Sequence, residues 1–338
     1  MVILVSSTGS PPLNAGLRNG LQLRAMRSSP PGLAGSGERR KVFSAALEQS
    51  EQLLSAAALT PPSARPMLVF YGLAQGCRAL FACAPTIPRD NFRTRGHGLR
   101  ERRLKGSLQK VAVEADGTGM FGALCQLMDF TKFTTAVTFG QLWASNPDLF
   151  QRRLAESVDP PCVTANCMLD STALSNFGLL SLGFFSAELR DRLSSDAQIV
   201  DYVRSNYGPF PFNIVELDPR SHYKACSVRE TWLDLNVHIP RADFETAAEH
   251  IEERRATIGY NSWMLPRIGD VISKPNALVL WYALFFSLSI RARYEPEGWT
   301  RDVDPDTSPI AVQLEDLLDD APSRCQGLLL DAIKTVCV

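Results

Sequence analysis

The sequence predicts a mainly α-helical α+β fold, because long stretches have the helical period and the middle of the chain alternates instead. Apolar side chains recur every three or four residues over 38–59 and 65–84, which is typical of amphipathic helices. The apolar run 277–290 is too short to cross a bilayer core of roughly 30 Å and predicts a buried helix. Apolar and polar residues alternate over 108–115, which predicts a half-buried strand, and the segments 162–169, 178–185 and 225–239 are also strand-like.

The predicted helices suggest how the chain packs. Two of them form an N-terminal helical hairpin, since Pro61 and Pro62 end the first helix and Pro66 suits the first turn of the second. Gly72 and Gly76 lie one turn apart on the second helix and would let another helix approach closely. Because each long helix has a wide apolar face to bury, we expect the hairpin to pack with C-terminal helices over 275–294, 308–320 and 324–336.

Length and composition indicate one large domain after a flexible N-terminal segment. The chain has 338 residues, of which 45% are hydrophobic and 21% charged, with a net charge of -1. Residues 1–37 are rich in Ser, Pro and Gly and are predicted to be flexible, with a short helix over 14–26. Residues 38–338 are then a single domain, helical over 38–100 and 241–338 and mixed over 101–240. Smaller helices are expected over 138–155, with an interruption near Asn146-Pro147, within 187–207 and over 241–256, and a short strand is expected over 263–268.

Cysteine usage and the N-terminus favour a cytoplasmic protein without a membrane partner. The eight cysteines are scattered singly with no CxxC pair, so reduced thiols are the simpler account and zinc is not expected. The N-terminal MVILVSSTGS lacks the basic region and the long apolar region of a signal peptide. We therefore expect no cofactor and no structural metal, and the net charge gives no general argument for a nucleic-acid partner.

The candidate site begins with His97, which stands between Gly96 and Gly98. One interpretation makes His97 a residue that takes up or releases a proton near neutral pH. The other makes it a loop histidine that only forms local hydrogen bonds. In the first interpretation Arg93 and Arg95 are its catalytic companions, and Tyr71 and Arg78 on the preceding helix are candidate binding residues.

The segment around His97 is also the most basic part of the chain. Between residues 89 and 110 there are eight Lys and Arg residues against two acidic ones, which favours an anionic partner such as nucleic acid. The further candidate binding residues are Arg89, Arg100, Arg102, Arg103 and Lys105. An alternative stays open, because residues 295–320 contain nine acidic residues against one Arg, and the two segments could pair or simply lie in solvent.

Two further motifs are discounted as ligand sites. Gly117, Gly119 and Gly122 spell GxGxxG between a strand and a helix, yet the preceding strand is not apolar and no ribose-binding carboxylate follows, so we interpret the motif as a tight turn. Residues 302–308 resemble the start of a calcium loop. However, the sixth position is Thr307 rather than Gly and the twelfth is Gln313 rather than Glu.

Several stretches resemble the YaaC-like family, namely Arg27-Ser-Ser-Pro-Pro-Gly, Ala45-Ala-Leu-Glu-Gln-Ser-Glu-Gln-Leu, Arg65-Pro-Met-Leu-Val-Phe-Tyr-Gly-Leu-Ala-Gln-Gly, Gly96-His-Gly-Leu and the run from Trp281 to Tyr294 with the Glu-Pro-Glu-Gly-Trp that follows. The resemblance runs from about residue 20 to the end of the chain. It implies kinship and no particular reaction.

Residues 64–99 resemble, more distantly, the helix-plus-histidine pattern of HEPN domains, many of which cut RNA. The HEPN motif is Arg, four to six residues, then His, whereas three residues separate Arg93 from His97 and seven separate Arg89 from it. Two functions are therefore carried forward. One is a binding or regulatory protein with an anionic partner at 89–110. The other is a metal-independent ribonuclease, possible also as a homodimer, in which Arg93 or Arg95 stabilises the phosphate and His97 moves a proton.

Overall fold

The computed structural model describes residues 14–88, 92–149, 152, 154, 163–169, 177–186, 193, 195–208, 210, 211, 213, 214, 222–225, 231–258, 261–271 and 275–337. The chain divides into two compact units. The first consists of Met1–Met128 with Trp281–Val338, and the second is Asp129–Leu280.

The helices are α1 (Asn14–Ser28), α2 (Gly37–Ala58), α3 (Arg65–Cys83), α4 (Met120–Leu127), α5 (Phe139–Ala144), α6 (Asp196–Tyr207), α7 (Phe244–Arg254), α8 (Ala277–Tyr294), α9 (Pro296–Asp302) and α10 (Ala311–Val336). The strands are β1 (Leu99–Arg103), β2 (Ala112–Ala115), β3 (Val137–Thr138), β4 (Val163–Leu169), β5 (Phe177–Ser186), β6 (His222–Ala225), β7 (Thr231–Pro240), β8 (Arg255–Ile258) and β9 (Asn261–Met264). Short 3-10 turns occupy Gly32–Gly35, Leu108–Lys110 and Arg241–Asp243.

The hairpin of α2 and α3 forms the centre of the first unit, and α10 packs against it. Glycines make both approaches close. A methyl group at Gly72 would lie 2.8 Å from Cγ of Leu54 on α2, and one at Gly76 would lie 2.2 Å from Cδ1 of Leu329 on α10. The predicted close approach and the predicted packing of N-terminal with C-terminal helices are therefore confirmed, and each glycine serves a different neighbouring helix.

Helices α3 and α8 are the apolar cores of this unit. Helix α3 is long and apolar enough to cross a membrane by length and composition, but 72% of its apolar window is buried inside the protein. Helix α8 is buried over 278–292, as its continuous apolar run predicts. Helix α8 is apolar on almost all sides and needs neighbours on all sides, whereas α3 keeps an exposed edge at Tyr71, so both are interpreted as core helices of this unit.

The N-terminal segment that was predicted to be flexible contains α1 in its described part. Helix α1 packs against α10 and α2. Leu23 is buried, and Arg27 forms an ion pair of 2.7 Å with Glu48 of α2. The short helix expected over 14–26 is present and extends to Ser28.

A buried arginine fixes the loop that follows β1. Arg291 is 3% exposed, and its Nε lies 2.9 Å from Oδ2 of Asp302. Its Nη1 donates to the carbonyl of Leu104 at 2.6 Å and its Nη2 to that of Gly106 at 3.0 Å. A charge can be buried at modest cost only when it is paired and hydrogen-bonded, and Arg291 satisfies both conditions.

The second unit is built on an antiparallel sheet with the strand order β6-β7-β5-β4-β9-β8. Leu180 and Val237 are register partners on β5 and β7, and both belong to a buried cluster with residues of α6 and α7 such as Val203 and Ile251. The predicted strands 162–169 and 178–185 correspond to β4 and β5. The helix predicted over 138–155 begins at Thr138 with a capping box to Gln141, but it ends at Ala144, before the interruption expected near Asn146-Pro147.

Several other boundaries differ from the prediction, and one of them is the short strand expected over 263–268, which is β9 at Asn261–Met264. The strand expected over 225–239 is two strands, β6 and β7, paired antiparallel. The helix expected over 241–256 ends at Arg254, because residues 255–258 pair with β9, which is itself held by β4. The helix pair expected over 308–336 is one helix, α10, which continues through Pro322. Pro322 and flanking residues of α10 are buried, so packing compensates for the backbone hydrogen bond that proline removes.

Candidate functional site

His97 lies in a loop whose backbone is held by the turn before α4. Gly96 and Gly98 have φ of +75° and +73°, a region that favours glycine. The N–H of Met120 donates to the carbonyl of Gly96 at 3.1 Å, and that of Phe121 donates to the carbonyl of His97 at 3.0 Å. The loop is therefore fixed on both sides of the histidine.

The GxGxxG motif supports this loop and leaves no free helix end for a dinucleotide. A methyl group at Gly119 would lie 2.4 Å from the backbone nitrogen of Gly98. The first two N–H groups of α4 already donate to loop carbonyls, whereas a phosphate-binding helix offers those groups to its ligand. The interpretation as a tight turn is confirmed, with Gly117 at φ +60°.

The imidazole of His97 is half-buried among aromatic rings of α3 and α8. Its centroid lies 4.8 Å from that of Phe70, 5.9 Å from that of Tyr71 and 6.1 Å from that of Phe286. The hydroxyl of Tyr282 donates to the carbonyl of His97 at 3.2 Å. Within the described residues the buried Nδ1 of His97 has no hydrogen-bond partner.

Two arginines act on this imidazole. Burial first, then the charges of Arg293 and Arg78, lower the pKa of His97, so the ring is neutral at neutral pH. Nη1 of Arg293 donates to the hydroxyl of Tyr71 at 2.9 Å. Nη1 of Arg78 donates to Oε1 of Gln75 at 2.9 Å. In the part of the chain that the structure describes, neither arginine forms an ion pair with a carboxylate. We call His97, Tyr71, Arg78 and Arg293 the His97 site.

The predicted catalytic companions of His97 are placed differently. Arg93 is exposed, forms an ion pair of 2.7 Å with Glu38 and lies over the ring of Phe92. Arg95 is exposed on the loop. Arg89 lies outside the described residues. The structure thus brings His97 together with Tyr71 and Arg78, while Arg93 is engaged with α2.

The remaining basic candidates lie on or next to the β1–β2 hairpin. Arg100 and Arg102 both form ion pairs with Glu114, the β2 residue opposite Arg100. Nε of Arg103 donates to the carbonyl of Lys105 at 3.4 Å. Lys105 lines a surface cavity of about 590 Å³ together with Asp302 of the acidic segment. Part of the basic charge is therefore neutralised within its own hairpin.

The acidic segment has partners elsewhere. Asp302 pairs with Arg291, and Asp319 pairs with Arg65 of α3. These two contacts tie the acidic segment to helices of the first unit. Across the described residues, no group of three His, Cys, Asp or Glu side chains could hold a metal ion.

Sequence reasoning missed Arg293. It lies 222 positions after Tyr71, at the end of a helix whose other residues are almost all buried. The available signal was the pair Arg291 and Arg293, because residues two positions apart on a helix point to different sides. The pair therefore favours one buried and one exposed arginine, and the structure shows that Arg293 is the exposed one.

The family model described as YaaC-like Protein matches residues 23–333. A search of curated proteins gives no match, and neither does a search of solved structures. The family match covers far more than half of the chain, so the chain belongs to the YaaC-like family, as the resemblance in its sequence stretches predicted.

Proposed function

We propose that this YaaC-like protein is a binding or regulatory protein, and that an anionic group of its partner binds at the His97 site. One observation carries the proposal. Guanidinium groups from two different helices, Arg78 and Arg293, lie close enough to depress the pKa of His97, and within the described residues neither is neutralised by a carboxylate. Like charges gathered in this way repel each other unless an anion joins them.

The chemistry of the site suits a phosphate or a carboxylate. Arginine donates two parallel hydrogen bonds to such groups, and Arg293 already has the hydroxyl of Tyr71 beside it. A bound anion would also favour the protonated form of His97, because it offsets the two positive charges that disfavour that form. Binding and protonation of His97 are therefore coupled.

The basic segment 89–110 has a supporting role in this proposal. Exposed cations such as Arg95 and Lys105 raise the local concentration of an anionic partner and speed its arrival. We also place the protein in the cytoplasm. The free thiols of the described cysteines Cys77, Cys83, Cys125, Cys325 and Cys337 support this location.

The test is calorimetric titration of the full chain with inorganic tripolyphosphate. We expect Arg78→Gln/Arg293→Gln to weaken binding at least about tenfold, since each lost charged hydrogen bond is worth about 1.5–3 kcal/mol. Arg24→Gln/Arg40→Gln removes the same total charge elsewhere and should change the affinity less than about twofold at physiological salt. Equal weakening by both pairs would show that only net charge matters and would overturn the proposed site.

A metal-independent ribonuclease is the second candidate, and the lowered pKa of His97 favours it. A neutral imidazole is the form that accepts a proton, and arginines beside it stabilise the charge of a phosphodiester in the transition state. In this version Arg78 and Arg293 replace Arg93 and Arg95 as the partners. Cleavage of labelled RNA that survives chelation and disappears in His97→Gln would support it, and intact RNA after prolonged incubation would reject it.

A further inference from the structure

We infer that the anionic partner is a single-stranded nucleic acid whose bases stack on Tyr294 and Tyr71 while Arg293 and Arg78 bind its phosphates. This inference rests on the proposed function and adds the class of ligand. Its basis is the exposure of two aromatic rings beside Arg293, an observation that the proposal of an anion site does not use.

The two rings stand out against the rest of the aromatic residues of the first unit. Tyr294 is 58% exposed and Tyr71 is 37% exposed. Their neighbours along the two helices, such as Phe70 and Phe286, are buried. Exposed large apolar side chains gathered at one place on a soluble protein typically mark a binding surface.

Arg293 connects the rings. Its Cζ lies 4.6 Å from the centroid of the Tyr294 ring, and its Nη1 donates to the hydroxyl of Tyr71 at 2.9 Å. A guanidinium stacked on a tyrosine fixes both groups, so little side-chain entropy remains to be lost when a ligand binds. The guanidinium of Arg293 therefore contacts both tyrosines, the ring of Tyr294 and the hydroxyl of Tyr71.

This combination distinguishes nucleic acid from a bare polyphosphate. A polyphosphate uses the arginines but gains nothing from the tyrosines. A nucleotide uses both, because its phosphate binds arginine and its base stacks on an aromatic face. In a duplex the bases stack on one another, so their faces are not offered to the protein, and a single strand is the form that fits. Stacking uses the face of any base, and we therefore expect little sequence preference.

The experiment measures fluorescence anisotropy of labelled twelve-nucleotide oligomers with the full chain, using poly(A) RNA, poly(dA) DNA and a duplex of the same length. Tyr294→Ala is compared with Tyr294→Phe, which keeps the ring, and with Leu59→Ala, which removes an apolar side chain that is 88% exposed. We expect Tyr294→Ala to weaken binding of the single strand at least about fivefold, since loss of one stacked base costs about 1–3 kcal/mol. Tyr294→Phe and Leu59→Ala should bind as the unaltered chain does. Comparison of the RNA and DNA oligomers shows whether the 2′-hydroxyl contributes to the affinity.

Tripolyphosphate titration of the same variants separates the two proposals. If Tyr294→Ala loses much more affinity for the oligomer than for tripolyphosphate, the inference holds. If Tyr294→Ala binds the oligomer as tightly as Tyr294→Phe, or if a duplex binds as tightly as a single strand, the inference is overturned while the anion site stands. If neither tripolyphosphate nor any oligomer binds, the proposed function fails and this inference fails with it.

Discussion

Nη1 of Arg293 donates a hydrogen bond of 2.9 Å to the hydroxyl of Tyr71, although the two residues are 222 positions apart. This contact joins the exposed edge of α3 to the end of α8, and His97 lies against the same two helices. The His97 site therefore exists only in the folded chain. It depends on the close packing of two apolar helices that belong to the core.

The pKa of His97 should rise when either neighbouring arginine loses its charge. Burial is the largest cause of the lowered pKa, and the charges of Arg293 and Arg78 come next. Replacing Arg293 by Gln removes one repulsive charge and keeps the polar contact with Tyr71 possible, so the protonated imidazole becomes less unfavourable. Titration of the imidazole signals by NMR measures this directly, because the chain has four histidines. Arg24→Gln is the control and should leave the pKa of His97 where it is.

The same lowered pKa makes the stability of the protein depend on pH. In the folded state the pKa of His97 lies below about 6.5, the ordinary pKa that the imidazole has in the unfolded state. The unfolded state therefore gains protons first as pH falls, and this group's contribution to the free energy of unfolding is lost below about pH 6.5. Urea unfolding at pH 7.5 and pH 5.5 should show a smaller loss for His97→Gln than for the unaltered chain. An equal loss would mean that His97 titrates normally in the folded state.

Removing one member of the buried pair Arg291 and Asp302 should destabilise the first unit strongly. Arg291→Met leaves the carboxylate of Asp302 without this partner and leaves the carbonyls of Leu104 and Gly106 without their donor. Breaking a buried ion pair in this way costs about 3–5 kcal/mol of unfolding free energy. The control is Arg301→Met on the exposed surface of α9, which should cost less than about 1 kcal/mol in the same urea experiment.

Gly119→Ala should disturb the His97 loop, whereas Gly122→Ala should not. The new methyl group at position 119 would lie 2.4 Å from the nitrogen and 2.5 Å from Cα of Gly98, and backbone atoms cannot move aside as a side chain can. Overpacking of this kind typically costs about 1–3 kcal/mol. At position 122 the nearest atom is 3.8 Å away, and alanine favours a helix more than glycine does. The affinity for tripolyphosphate, measured together with urea unfolding, should fall for Gly119→Ala and not for Gly122→Ala. Equal affinities of the two variants would show that the His97 loop does not position the binding site.

Cys337 should react with an alkylating reagent in the folded protein before Cys77 does. Burial raises the pKa of Cys77 to about 12, and its thiol is enclosed in α3. Cys337 is only half-buried, so its sulfur can be reached by a small reagent. Mass spectrometry after brief alkylation, with and without urea, gives the modified fraction at each site. Rapid alkylation of Cys77 without urea would show that α3 opens readily.

The elements that could be predicted are those whose pattern is local. The three- and four-residue spacing of α3 and the apolar run of α8 are enough to predict helices. Gly72 and Gly76 predict close contacts with other helices. The turn at Gly117 also follows from a short motif. The break expected between residues 320 and 324 is absent, because the burial of Pro322 and of its neighbour Ala321 can outweigh one missing hydrogen bond.

The site itself could be predicted only in part. A histidine between two glycines marks His97, and Arg78 and Tyr71 lie on the nearest helix in sequence. Arg93 was an equally reasonable partner until the fold paired it with Glu38, 55 positions earlier. Arg293 comes from the far end of the chain, and no local pattern shows which helix end will meet which loop. Long-range placement of charges is the information that only the fold supplies.

The central claim is that an anion binds against His97, Arg78 and Arg293. NMR titration of the His97 imidazole with tripolyphosphate tests it most directly, with the signal identified by its loss in His97→Gln. The account predicts a saturable shift of that signal and a higher pKa of His97 in the complex, both abolished in Arg78→Gln/Arg293→Gln and retained in Arg93→Gln/Arg95→Gln. Binding that leaves the His97 signal unmoved, or that is lost in Arg93→Gln/Arg95→Gln instead, would contradict the account.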